Sequence, residues 1–143
     1  MLHRRHRVIV AVGCTALLTM LMWSDSPTAW WSSIIEYFLE ANQSATSTVL
    51  DARPGGDLDI HIVLWFAATL VWWWALRHHQ KTLKACLVLL GWASLVETLQ
   101  PMFTEIRDRQ LGDYLGNGIG IGLVVLGLFV RRRYFEGPMS PAT

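Results

Sequence analysis

From Ile60 to Leu76 the chain contains no Asp, Glu, Lys or Arg. Three further runs share this character: Val8 to Trp23, Ala85 to Gln100 (interrupted only by Glu97) and Tyr114 to Val130. A helix needs about 20 mostly apolar residues to cross the ~30 Å hydrocarbon layer. Within that layer only a helix or a closed barrel satisfies its own backbone polar groups. Four such runs in 143 residues leave little chain for anything else. Only 16% of the residues are charged, against roughly 25% in an ordinary soluble domain. The expected fold is an all-α membrane protein: a four-transmembrane-helix bundle forming one membrane domain over 1–143, with spans near 8–23, 60–76, 85–100 and 114–130.

Composition excludes several functions. The net charge is +1, with 12 Lys+Arg against 11 Asp+Glu, so there is no basic excess to hold nucleic acid. Cys14 and Cys86 both sit in apolar runs, outside any CxxC or Cys/His spacing. A disulfide scaffold or zinc module is therefore not expected, and the reading assigns no metal and no cofactor. No small-x-small cleavage site follows Trp23, so the first run is read as a retained span rather than a signal peptide.

Basic residues give the orientation. Arg4, Arg5 and Arg7, then Arg77, Lys81 and Lys84, then Arg131, Arg132 and Arg133 all fall on one side if there are four spans. The other side holds Arg53, Arg107 and Arg109. The positive-inside rule then places both termini in the cytoplasm of a multi-pass inner-membrane protein. The Trp72-Trp73-Trp74 triplet beside the basic Arg77–Lys84 loop fits a headgroup-level belt. His78 and His79 belong to that solvated loop. In the first external connection, Trp30, Trp31, Ile34, Ile35 and Phe38 recur at helical spacing after Pro27, apart from Glu36 and Glu40. This predicts an amphipathic interfacial helix; a helix capping the bundle is the alternative. Asn42 to Gly56 reads as a linker.

The fourth run holds Gly116, Gly118, Gly120 and Gly122. Glycines four apart on an apolar helix allow a neighbouring backbone close approach. These pairs suit packing inside the bundle and equally a homo-oligomer. A phosphate-cradling glycine loop would need a preceding strand, which is absent from the pattern.

The polar residues near the span ends are the informative ones. Asp57 and His61 are four apart, Glu97 and Gln100 three apart, Asp113 and Asn117 four apart, so each pair shares a helix face. A carboxylate in hydrocarbon costs several kcal/mol unless paired or protonated. Glu97 is therefore expected to face inward, with Arg107 as its natural cation. With four spans all three pairs and Arg107 fall at one depth, on the non-cytoplasmic side. The expectation is one polar cluster opening outward. Each member also has a plainer role: His61 as an interfacial histidine, Asp113 as a helix cap, Glu97 with Arg107 as a structural ion pair, Asn117 as an interhelical hydrogen bond.

The ordered set Asp57-x-x-x-His61, Glu97-x-x-Gln100, Arg107, Asp113-x-x-x-Asn117-x-x-Gly120 resembles the VanZ-like family, small bacterial membrane proteins named for a teicoplanin-resistance determinant. The resemblance spans about 57–122. Leu58 stands where the family often has Lys, the Gln100–Arg107 segment is one residue longer, and Glu105-Ile106 replaces its usual Pro-Gly turn. The resemblance implies a cell-envelope protein with an effect on glycopeptide susceptibility, and no defined reaction.

Four functions follow from the cluster. It binds a polar or lipid-linked headgroup at the outer face, with Arg107 forking onto phosphate or carboxylate. Alternatively it is an acid/base enzyme on a lipid-linked envelope precursor, with His61 and Glu97 as the pair. Otherwise it locks the bundle in a structural or partner protein, or serves proton-coupled transport through Glu97. The absence of a nucleophile motif weighs against an enzyme.

Overall fold

The computed structural model describes residues 2–24, 33, 37, 58–104 and 111–134. Among these residues there are four long helices and no strand: α1 (Leu2–Met22), α2 (Leu58–Leu76), α3 (His79–Leu99) and α4 (Leu111–Tyr134), with a 3-10 turn over Gln100–Met102 after α3. Each helix is long and apolar enough to cross a membrane, over Arg4–Met22, Leu58–Leu76, Gln80–Met102 and Leu111–Tyr134. The all-helical, four-span architecture is that of a multi-pass membrane protein.

The helices outrun the apolar segments at their charged ends. Arg4, Arg5 and Arg7 lie within α1, Lys81 and Lys84 within the opening turns of α3, and Arg131, Arg132 and Arg133 within the last turn of α4. An apolar run marks where hydrocarbon begins, not where hydrogen bonding stops. Lys and Arg are good helix formers whose long stems reach back toward the interface. The basic loop expected from Arg77 to Lys84 is accordingly two residues, Arg77 and His78. The Arg77 amide closes the last turn of α2 on the Trp73 carbonyl at 2.9 Å. Arg77 itself takes φ 47°, a left-handed conformation that normally favours glycine. His78 is extended, and its carbonyl accepts the Thr82 amide at 2.9 Å as α3 begins.

Helix α2 packs against all three others, most extensively against α4. Glycine explains that intimacy. A Cβ on Gly116 would lie 2.8 Å from both His61 Cβ and the Leu58 carbonyl, and one on Gly120 would lie 2.5 Å from the Ile62 carbonyl. Gly118 and Gly122 were expected to pack in the same way, but a Cβ on either would meet nothing within 4 Å. Two residues along a helix is about 200° of rotation, so only one of the two glycine pairs can face α2. The other lines a shallow outer groove between α3 and α4 with Cys86, Leu90 and Phe129.

The core draws on all four helices: Leu18 and Met22, Trp65 and Ala68, Cys86, Leu89, Ala93 and Val96, and Ile121. Small residues again sit at the contacts. Outward-facing positions remain apolar, with Leu87, Val88 and Phe129 each more than half exposed. That is the inverse of a soluble bundle, and it fits lipid as the solvent.

Contacts at the two ends fix the up-and-down order. Arg7 stacks over the Trp74 ring at 5.8 Å and Arg131 over Trp73 at 5.7 Å. The start of α1, the end of α2 and the end of α4 therefore share one end, where the basic clusters gather. Trp72 differs from its neighbours: it turns inward and donates to Thr15 Oγ1 at 3.0 Å. At the opposite end, Trp23 Nε1 donates to the Val96 carbonyl at 3.2 Å and Trp23 stacks on Phe103 at 4.3 Å. Of the amphipathic stretch after Pro27 only Ser33 and Tyr37 are described, and the 42–56 linker lies outside the described residues.

Candidate functional site

The site lies where α2 begins, α3 ends and α4 begins. His61 sits on the first turn of α2, Glu97 on the last turn of α3, and Asp113 and Asn117 on the first turns of α4. Asp113, Gly116, Asn117 and Gly120 are spaced i, i+3, i+4 and i+7, so they form one stripe on α4. The glycines of that stripe admit the α2 backbone, and the polar residues of the same stripe thereby meet His61.

The geometry is tight. His61 Nδ1 lies 2.9 Å from Asn117 Oδ1 and 3.2 Å from Glu97 Oε1. Asn117 Nδ2 donates to the same Glu97 Oε1 at 3.1 Å. The opposite ring nitrogen, His61 Nε2, faces Asp113 Oδ1 at 3.7 Å. All four residues are buried, from 0% exposure for His61 and Glu97 to 3% for Asp113.

These contacts define the hydrogen positions. An amide facing a carboxylate turns its Nδ2 donor to it, which leaves Oδ1 of Asn117 to face His61. Nδ1 of His61 must then be the donor to Asn117 Oδ1, with Glu97 Oε1 3.2 Å from the same nitrogen. Its neutral form keeps a lone pair on Nε2, on the side of Asp113. A ring held at one nitrogen and turned by the other toward a carboxylate is suited to proton transfer or to ligation. One donor atom from each of His61, Glu97 and Asp113 lies within 4.8 Å of the others, so this trio could hold a metal ion. Glu97 Oε2 is buried with no hydrogen-bond partner among the described residues.

Four of the expected cluster residues, His61, Glu97, Asp113 and Asn117, thus come together. Gln100 is buried near them but is engaged elsewhere: its Nε2 donates to the Met22 carbonyl at 2.9 Å, tying the end of α1 to the bundle. Its expected face-sharing with Glu97 assumes a continuing α-helix, whereas the chain passes into a 3-10 turn at Gln100, just before Pro101. Asp57 and Arg107 lie outside the described residues. One supporting pair escaped the sequence reading. Thr98 Oγ1 and Tyr114 Oη are 3.1 Å apart and link α3 to α4 beside the cluster. Its signal is that each residue directly follows one of the two carboxylates.

Compared with protein-family models, with curated proteins and with solved structures, the chain finds no match in any of the three.

Proposed function

We propose that this chain is a VanZ-like integral membrane protein of the bacterial cell envelope. Its cluster of His61, Glu97, Asp113 and Asn117 takes a polar or lipid-linked headgroup at the outer face, with an influence on glycopeptide susceptibility. The observation that supports this is the convergence of four buried polar side chains from three helices at the end of the bundle opposite the basic residues. The positive-inside rule puts the basic end in the cytoplasm and hence the cluster at the outer leaflet. Asn117 and His61 supply neutral hydrogen bonds, Glu97 and Asp113 accept from sugar hydroxyls, and Arg107, from the connection preceding α4, supplies the guanidinium for phosphate or carboxylate.

The test is native mass spectrometry of the purified protein. A repeatable co-purifying lipid headgroup is expected, lost in Arg107→Ala with the melting temperature nearly unchanged. A wild-type protein without bound lipid, or an Arg107→Ala variant that loses thermal stability together with any phenotype, overturns the reading in favour of a structural lock.

A second reading is supported by His61 lying between two carboxylates, 3.2 Å from Glu97 and 3.7 Å from Asp113. In it the cluster is an acid/base centre acting on a lipid-linked precursor. Turnover of a radiolabelled precursor by purified protein, abolished in His61→Ala, distinguishes it from binding alone.

A further inference from the structure

We propose that His61, Glu97 and Asp113 form a mononuclear divalent-cation site, suited to zinc, at the membrane-embedded end of the bundle, with Asn117 holding the ligands in place. No metal motif is visible in the sequence, because residues from three helices show no local spacing: His61 and Asn117 are 56 residues apart and Glu97 and Asn117 are 20. Folding supplies what spacing does not.

Three observations point the same way. The donor set is one imidazole and two carboxylates, with one atom of each within 4.8 Å of the others. Two donors on a tetrahedral zinc, each about 2.1 Å from the ion, stand about 3.4 Å apart. His61 Nε2 and Asp113 Oδ1 are already 3.7 Å apart, too far for a hydrogen bond and close to that span.

The second observation is the ring orientation. Metal-binding histidines usually donate their other ring N–H to a carboxylate or carbonyl, which sets the tautomer and aims the lone pair at the ion. Here Nδ1 is bonded to Asn117 Oδ1, and Nε2 is the nitrogen 3.7 Å from Asp113 Oδ1. Asn117 also donates to Glu97 Oε1, so one amide positions two of the three ligands.

The third is Glu97 itself. Oε1 accepts from the Asn117 amide and lies 3.2 Å from His61 Nδ1, while Oε2 is fully buried with no hydrogen-bond partner among the described residues. A buried carboxylate oxygen left in this way has given up its hydration with nothing in return, and a cation relieves it. Three protein ligands leave a fourth position open, the arrangement of reactive rather than purely structural zinc sites. Mixed imidazole and carboxylate donors also accept manganese, so the ion's identity is an outcome of the measurement.

The inference stands apart from the headgroup reading, since metal content is measured without added lipid. Full-length protein in detergent is stripped with chelator, reloaded with zinc or cobalt, desalted and analysed by mass spectrometry of its metals. Wild type is expected to hold close to one ion per chain, and its cobalt form to show the visible absorption of a low-symmetry four-coordinate site. His61→Ala and the near-isosteric Asp113→Asn should lose the ion. Asn117→Ala should keep one site but bind about 10–100-fold more weakly. His78→Ala, altered in the turn at the opposite end, should bind as wild type does. Circular dichroism checks that each variant is helical. Wild type that retains its helicity yet takes up neither ion overturns the proposal whatever the variants do. Undiminished stoichiometry in a double His61→Ala, Asp113→Asn variant overturns it as well.

Discussion

Replacing Gly120 by alanine tests the packing that assembles the site. A Cβ there would lie 2.5 Å from the Ile62 carbonyl oxygen and 2.9 Å from the Phe66 amide nitrogen. Ordinary contact begins near 3.4 Å, so α2 and α4 must separate by about 0.9 Å. Both obstructing atoms are backbone, and no rotamer change relieves them. A gap of 0.5–1 Å forfeits roughly a quarter to a half of each dispersion contact along the seam. Overpacking of this kind costs about 1–3 kcal/mol, against up to about 1 kcal/mol returned by the better helix propensity of alanine. Gly122→Ala is the matched control: it gains the same propensity and meets nothing within 4 Å. The same separation would stretch the 2.9 Å His61–Asn117 hydrogen bond past bonding distance. Unfolding by SDS in mixed micelles, followed by tryptophan fluorescence, should find Gly120→Ala less stable than wild type and Gly122→Ala equal or more stable. If Gly120→Ala withstands as much SDS as Gly122→Ala, the close approach of α2 and α4 is wrong, and the cluster distances fall with it.

Gln100→Met should lower stability by about 0.5–1.5 kcal/mol, the worth of its hydrogen bond to the Met22 carbonyl, and leave zinc uptake unchanged; lost zinc uptake would return Gln100 to the site. Single cysteines at exposed Met102 and exposed Lys81, in a background without Cys14 and Cys86, probe the two ends of the bundle. In spheroplasts an impermeant maleimide should modify position 102 at once and position 81 only after lysis, and the opposite order would invert the orientation.

The four spans were legible because hydrocarbon demands long uncharged runs, and the sequence writes them plainly. Their ends were not, because Arg4, Lys81 and Arg133 are compatible with helix even where they are incompatible with hydrocarbon. The meeting of His61, Glu97, Asp113 and Asn117 followed from counting helix directions: α2 and α4 start where α3 ends. Which side chain touches which did not follow. Gln100 differs from Glu97 because the helix changes type between them, a change that Pro101 signals only weakly. The glycines repeat every two residues, so the sequence offers two equivalent faces for packing. Only contact with α2 distinguishes Gly116 and Gly120 from Gly118 and Gly122.

The site and the packing seam are one stripe of α4, and this bears on why the polar residues are there. The apolar core of Leu18, Trp65, Leu89, Ala93 and Ile121, with the glycine contact, already supplies what holds four helices together in lipid. Interhelical hydrogen bonds between polar side chains in membranes average only about 0.6 kcal/mol. A carboxylate in the same setting costs several times that, and well-packed apolar residues commonly match or exceed a buried ionic group in stability. A chain selected only for a firm bundle would therefore have little use for Glu97 and Asp113 at 0% and 3% exposure. Gly116 sharpens the point. Its absent Cβ makes room for His61 Cβ as well as the Leu58 carbonyl, so one of the two close approaches of these helices falls at the base of the His61 side chain. Stability alone asks for close approach somewhere along the seam. Placing one such contact at His61, with Asn117 and Asp113 on either side of Gly116, is what an arrangement built to hold that ring against three polar partners requires.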